Sequence, residues 1–565
     1  MIKNLVYIFN FFSKKKIIFL FVLITLFTFL ESIGIGLVFP LLISILDDTL
    51  YNNLIFFKSF QNYLNFANPI VFILILTLLV FLLKFFISLI FSFFQSKEIY
   101  NFEFMISNLS LKKILSEKYN YIKKINSSEI INNTITQCSI ISEYVIKNIF
   151  GLVADIILIN GIIIILFIAN PKLSLICLIY SLIVILGTNL IIRRRLKQLG
   201  SFKQKIDKNK LQSLQETLSL LKNIKLLSQE EKFIRNFENE NFSYKEVLSK
   251  EFFISTIPRF FIEFSSVLLF VTLMIYYNLQ SSNQLVSILP SIALLGAAGA
   301  RLIPALSRLQ FYFVQIRFGL PVIDSIKNII NKKNEYAENE KILDESIFNN
   351  FEEIELKNIS FRHKDTENLI IENSSFSINK NDIVGITGKS GSGKTTLVDI
   401  IAGLHKIETG KILINGRPIE NYNSKTWMKK IGYVQQNIFL IDSTIEKNLL
   451  LFADDKNVNL NKISFLNFVN SLQNKFNTEI GENGKFLSGG QIQRLGIARV
   501  LLNKPKILIL DESTNALDTK TETEILEELS KYREDLLILI ISHNKDTLKV
   551  CNKIISIEDK KIKLL

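Results

Sequence analysis

The chain of 565 residues carries 66 Lys and Arg against 52 Asp and Glu, a formal net charge of +14, and is 48% hydrophobic with 46 phenylalanines. Its length suits two or three domains, and its mean hydropathy of +0.30 is that of a chain partly solvated by lipid. Lys and Arg flank apolar runs instead of gathering on one basic face, so no nucleic-acid partner is expected. Cys138, Cys177 and Cys551 stand too far apart for a zinc site or a disulfide framework and read as packing residues.

Behind Lys14-Lys15-Lys16 begins the first of six stretches long enough to cross a bilayer, which takes about 20 apolar residues. They run over 17–45, 70–94, 145–169, 173–192, 252–276 and 286–309. The first lacks the small-residue cleavage site of a secretory signal and reads as a span. Lys97, Lys112-Lys113, Arg193-Arg194-Arg195 and Lys250 fall on the side of the N-terminal lysines, whereas the opposite side has short loops at 170–172 and 278–284. The positive-inside rule puts both termini in the cytoplasm, and a multi-pass protein of the bacterial inner (cell) membrane is expected.

The inner connections 95–144 and 193–251 hold few helix breakers. They read as helical extensions of the spans, with tips near 119–128 and 218–229 that can dock on a following domain. In the outer segment 51–68, Phe56, Phe57, Phe60, Tyr63, Leu64 and Ala67 recur every three or four residues. That spacing predicts an amphipathic helix at the outer surface, as a cap on the bundle or a substrate element. The transmembrane domain thus covers 1–330 and a polar linker 331–350. From 351 to 565, short strands at 383–387, 507–510 and 536–541 alternate with helical stretches, a soluble α/β pattern.

The chemistry is written most sharply in Gly388-Lys389-Ser390-Gly391-Ser392-Gly393-Lys394-Thr395, a G-x-x-x-x-G-K-[ST] loop between a strand and a helix that continues with Thr396. Its glycines let backbone N–H groups curl around phosphate oxygens, and the helix N-terminus adds partial positive charge. Lys394 is placed to reach the β- and γ-phosphates of ATP and Thr395 to ligate Mg²⁺. Downstream, 507–510 is an apolar strand that ends in Asp511 and Glu512. Asp511 suits the magnesium, and Glu512 sits where a base could polarise the attacking water.

Leu487-Ser488-Gly489-Gly490-Gln491 resembles the signature of ABC ATPases, and the other motifs of that family follow in order. Gln436, in Tyr433-Val434-Gln435-Gln436, looks like the Q-loop glutamine, which implies a place beside Mg²⁺ and the reacting water. Asn515-Ala516-Leu517-Asp518 is similar to the D-loop, His543 to the switch histidine, and 478–484 to the exporter X-loop. His363 stands where the family's adenine-stacking Tyr is usual, next to Phe361; it either stacks more weakly or is only a surface residue. The resemblance implies an exporter half-transporter: a six-helix all-α transmembrane domain with long cytoplasmic extensions, then an α/β P-loop ABC ATPase domain. It also implies a homodimer, in which Ser488, Gly489, Gly490 and Gln491 of one subunit close over ATP held by the other.

Six ionisable residues stand out within the expected spans: Glu31, Asp155 and Glu263, and Lys84, Arg259 and Arg301. Such residues are costly in a membrane. They either pair across helices (Glu31 with Lys84, Arg259 with Glu263 one turn on) or the three bases line a cavity for an anionic headgroup. Glu31-Ser32-Ile33-Gly34-Ile35-Gly36, Pro258-Arg259 and Arg301-Leu302-Ile303-Pro304 resemble PglK-type lipid-linked oligosaccharide flippases. That resemblance implies a lipid-linked anionic substrate. The rivals are a peptide exporter, for which the 16 residues ahead of the first span leave no room for a leader protease domain, and a multidrug exporter, ill served by surplus bases. A non-transporting ABC sensor or channel gate has no need of Glu512 and His543.

Overall fold

The computed structural model describes residues 7–46, 55–64, 66, 68–169, 171–280, 285–331, 348, 350–363, 366–419, 424–455, 458–460, 463–512 and 519–565. It divides into two units, Met1–Glu117 with Ile122–Lys333, and Lys118–Tyr121 with Asn334–Leu565.

The first unit is built of helices. Ser13 starts one, its hydroxyl accepting from Lys16 N at 3.4 Å, and the helix Lys14–Gly36 follows. At Leu37 it breaks and resumes as Val38–Leu46, so the first expected span is two helices. Gly34 and Gly36 are weak helix formers, and Pro40 has no N–H to return across the break. The second expected span lies in Pro69–Leu115, a 47-residue helix opened by Asn68 as N-cap with Pro69 in the first turn. At ~1.5 Å per residue it is about 70 Å long, over twice the ~30 Å hydrocarbon core. It is long enough to hold an apolar span and a polar extension in one rod.

The third expected span begins in the π-helical turn Ile141–Ile146 and continues as Lys147–Ala169. The other three expected stretches lie in the helices Pro171–Ser219, Glu230–Gln280 and Leu285–Ile330. Among the described residues, four helices are long and apolar enough to cross a membrane, in 14–36, 69–115, 127–168 and 230–275, with a shorter apolar helix at 174–187. Their outward faces are apolar: Leu78 is 67% exposed and Phe264 69%. Small residues let the rods close up. A Cβ on Gly161 would stand 2.4 Å from Ser32 Oγ, and one on Gly200 2.2 Å from the Phe318 carbonyl oxygen. The amphipathic segment forms the helix Ile55–Tyr63, with 51–54, 65 and Ala67 outside the described residues.

The tip expected at 119–128 holds the short helices Tyr119–Ile122 and Ser127–Ile131, and residues 118–121 belong to the second unit. The tip at 218–229 holds Leu221–Leu226. The linker lies almost wholly outside the described residues, and the D-loop entirely so.

Among the described residues the second unit has two sheets. One is antiparallel, in the order β2 (Ile371–Asn379), β1 (Glu353–Phe361), β4 (Thr409–Ile414), β5 (Arg417–Pro418). The other has the order β10 (Lys561–Leu564), β9 (Lys553–Glu558), β3 (Ile383–Gly388), β8 (Leu537–Ile541), β7 (Ile507–Asp511), β6 (Ile431–Val434). From β9 to β6 every pairing is parallel. Such strands are covered on both faces and read as continuous apolar runs; all five residues of β8, Leu-Ile-Leu-Ile-Ile, are buried. Parallel strands align their C-terminal ends on one edge, where a ligand crevice forms. Gly388, Asp511, Ser542 and Gln436 leave β3, β7, β8 and β6 at that edge.

Candidate functional site

The phosphate loop follows β3 and turns into the helix Lys394–Ile401. Gly388, Gly391 and Gly393 have φ of 150°, 79° and 103°, values that L side chains rarely adopt. At Gly388 a Cβ would also stand 2.8 Å from the Ile557 carbonyl oxygen. The Lys394 ammonium is folded back into the loop, donating to the Gly388 and Lys389 carbonyls at 3.1 and 3.2 Å. Ser392 Oγ is buried without a hydrogen-bond partner. A cradle of N–H groups, a curled ammonium and an orphaned hydroxyl fit a bound phosphate chain.

At the end of β7, Asp511 Oδ2 accepts from the Tyr433 hydroxyl at 2.8 Å. Burial pushes the Asp511 carboxyl up while that hydrogen bond draws it down; Asp399 and Glu512 raise it and Lys394 lowers it. The local surplus of acid is what a divalent cation relieves, so Asp511 fits Mg²⁺, with Thr395 at the head of the facing helix. Burial, and then Asp511 itself, push the Tyr433 phenol far above its ordinary value, so it stays a donor. Tyr433, a neighbour of Gln436 in the sequence, therefore holds the Asp511 carboxylate. Tyr433→Phe should raise the Mg²⁺ concentration for half-maximal ATP hydrolysis about 5-fold, the scale of one hydrogen bond. ATP affinity measured without metal should not change. An unchanged Mg²⁺ requirement would show the bond to be idle.

Glu512 has φ 47°, a sharp turn that costs a non-glycine residue on the order of 1–3 kcal/mol and is found at functional sites. Gln436 Nε2 donates to Glu512 Oε2 at 3.2 Å, and His543 Nε2 lies 3.5 Å from Glu512 Oε1. Three residues 107 positions apart at the extremes thus meet on one carboxylate. The signature forms a second element: Ser488 caps the helix Gly489–Leu501. Its Oγ accepts from Gln491 N at 3.3 Å, and Gln491 Oε1 accepts from Ser488 N at 2.9 Å. That reciprocal pair leaves the Gly489 and Gly490 amides at a bare helix N-terminus. His363 packs edge-on to Phe361 (centroids 5.2 Å apart), and Phe361 is buried in the core.

Residues 16–298 match the family model for the ABC transporter transmembrane region, and 371–515 match the model described as ABC transporter. The chain belongs to the ABC transporter family. A Rickettsia typhi protein named for export as an ATP-binding/permease protein is 33% identical over 316 residues, 54% of this chain and 53% of its own. A Staphylococcus aureus protein named for multidrug export is 38% identical over 211 residues, 36% of each chain. The chain thus spans about half or less of the length of the curated relatives it matches. The solved structure of a bacterial Atm1-family ABC exporter with ATP bound has the same fold, with a TM-score of 0.79 at 19% identity over 98% of this chain and 95% of that one.

In the membrane unit of this ABC transporter the charges are paired. Buried Glu31 takes both Lys84 Nζ at 3.1 Å and Arg301 Nη1 at 3.2 Å on one oxygen. Lys84 also sits over the Phe27 and Phe81 rings, 5.4 and 5.6 Å from their centroids. Arg259 Nε donates to Glu263 at 2.8 Å one turn on, and that pair is exposed. Asp155 is held by Arg308 through two bonds, 2.9 and 2.7 Å. Arg308 was not singled out in the sequence, so Lys84, Arg259 and Arg301 are not the only bases of the expected spans. It lies two turns beyond Arg301, near the end of the sixth stretch, and that seven-residue spacing could have found it.

Proposed function

We propose that the chain is an ATP-hydrolysing ABC exporter half-transporter with six spans, working as a homodimer with both termini in the cytoplasm. The observation that carries the ATPase reading is the meeting of Gln436, Glu512 and His543 beside the phosphate loop. Glu512 draws a proton from the attacking water, Gln436 and His543 hold its carboxylate and the γ-phosphate end, and Asp511 and Thr395 hold Mg²⁺. His363 stacks on adenine, and Ser488 with Gly489, Gly490 and Gln491 completes the partner's site.

The cargo in this reading is a lipid-linked oligosaccharide or related anionic glycolipid, moved from the cytoplasmic to the outer leaflet. Lys84, Arg301 and Arg308 on Glu31 and Asp155 leave one base in surplus, which suits an anionic headgroup and opposes an apolar cation. The names of the Staphylococcus relatives favour drug export as the second reading. Stimulation of ATP hydrolysis by polyprenyl-pyrophosphate glycans, peptides and drugs, compared side by side, decides between them; a response to drugs alone sinks the glycolipid reading.

The pairing sharpens the test in the membrane. Removing Arg301 leaves Glu31 paired with Lys84, so no buried charge is stranded. Arg301→Ala should fold, assemble and hydrolyse ATP at the basal rate, yet lose lipid-linked glycan flipping in proteoliposomes. Glu31→Ala strands two bases and should lower the yield of folded protein. Full flipping by Arg301→Ala would remove it from headgroup capture.

A further inference from the structure

His405 was not among the residues read from the sequence, yet it is the meeting point of three parts of the second unit. It sits 8% exposed in the turn between the helix Lys394–Ile401 and β4. Its ring lies 5.0 Å from Phe361 and 5.3 Å from His363, centroid to centroid, so the two histidines and Phe361 touch one another. Its Nδ1 is 2.7 Å from Asn120 Nδ2, in the short helix Tyr119–Ile122, 285 residues away in sequence. Its Nε2 faces Asp399 Oδ2 at 3.6 Å.

An amide N–H₂ can only donate, so Nδ1 presents its lone pair to Asn120 and the ring proton stands on Nε2, toward the carboxylate. Both edges of the imidazole are thereby committed while its ring packs against the aromatic group. Leu or Phe would fill the same space without bringing a nitrogen that needs a partner. The polar edge exists for Asn120 and the ring for His363.

We propose that His405 is a positioning residue that links occupancy of the adenine site to the seating of the helix Tyr119–Ile122. The inference rests on the reading that His363 stacks on the base. Adenine on His363 fixes that ring, His363 fixes the His405 ring, and a fixed His405 holds its lone pair on Asn120. Coupling of this kind is reciprocal: what ATP does to the helix, the helix does to ATP affinity. Its size is that of one neutral hydrogen bond, about 5-fold.

The test uses the full chain in lipid nanodiscs, with Glu512→Gln to hold Mg-ATP unhydrolysed. Hydrogen exchange is followed in the peptide covering 118–125, with and without Mg-ATP, beside ATP affinity. In the parent, ATP should slow exchange there about 5-fold. His405→Phe keeps a ring and removes the acceptor, so the helix should exchange faster and ignore ATP. His405→Gln keeps an acceptor for Asn120 and removes the ring, so the helix should stay protected and ignore ATP. Asn120→Ala, at a half-buried position, removes the same bond as His405→Phe and carries the same expectation. ATP-dependent slowing that survives in both His405→Gln and Asn120→Ala makes His405 a packing residue and overturns the inference. His363→Ala separates the underlying reading. Unchanged ATP affinity in it removes the adenine stack, and the inference with it. Weakened affinity there, with slowing intact in the His405 variants, removes the His405 link alone.

Discussion

Glu512→Gln should bind ATP with native affinity yet hydrolyse it at least ~100-fold more slowly, the scale on which loss of a general base falls. The amide is isosteric with the carboxylate, and it can still meet Gln436, 3.2 Å away, and His543, 3.5 Å away. What it cannot do is take a proton from water. The variant should therefore hold ATP in a closed, doubly occupied dimer. Single-turnover hydrolysis and retention of labelled ATP through gel filtration measure the two halves of the expectation. Near-native turnover would take Glu512 out of the mechanism and leave its strained backbone unexplained.

Subunits bearing Lys394→Ala and subunits bearing Ser488→Arg should each be inactive alone and recover ATPase activity when mixed before reconstitution. Lys394 supplies charge to the phosphate loop. Ser488 caps the helix Gly489–Leu501, and Arg in its place removes the cap and blocks the bare amides behind it. In a shared-site dimer, the mixed pair has one site with both lesions and one with neither. Random mixing makes half of the dimers heterodimers with one good site each, so recovery should approach roughly a quarter of native activity. Absence of any recovery across mixing ratios would show that each chain completes its own site.

The phosphate loop, the acids after 507–510 and the signature could be read from the sequence because each is a local device. Glycines at fixed offsets dictate a backbone path, an apolar run dictates a buried strand, and Ser488 with Gln491 dictates a capped helix start. The apolar helices at 14–36, 69–115, 127–168 and 230–275 were legible for the same reason, since lipid imposes a length and a composition on each segment separately. The break at Leu37 was less so, because glycine and proline weaken a helix without saying whether it yields.

The sequence by itself determined the family and the order of its two domains. Only the tertiary structure decided who holds whom. Arg308 on Asp155, Arg301 and Lys84 sharing Glu31, Tyr433 on Asp511, and His405 between His363 and Asn120 join residues from 42 to 285 positions apart. No periodicity records such pairs: a buried charge or lone pair takes whichever partner the packing brings within about 3 Å, and burial raises the cost of having none.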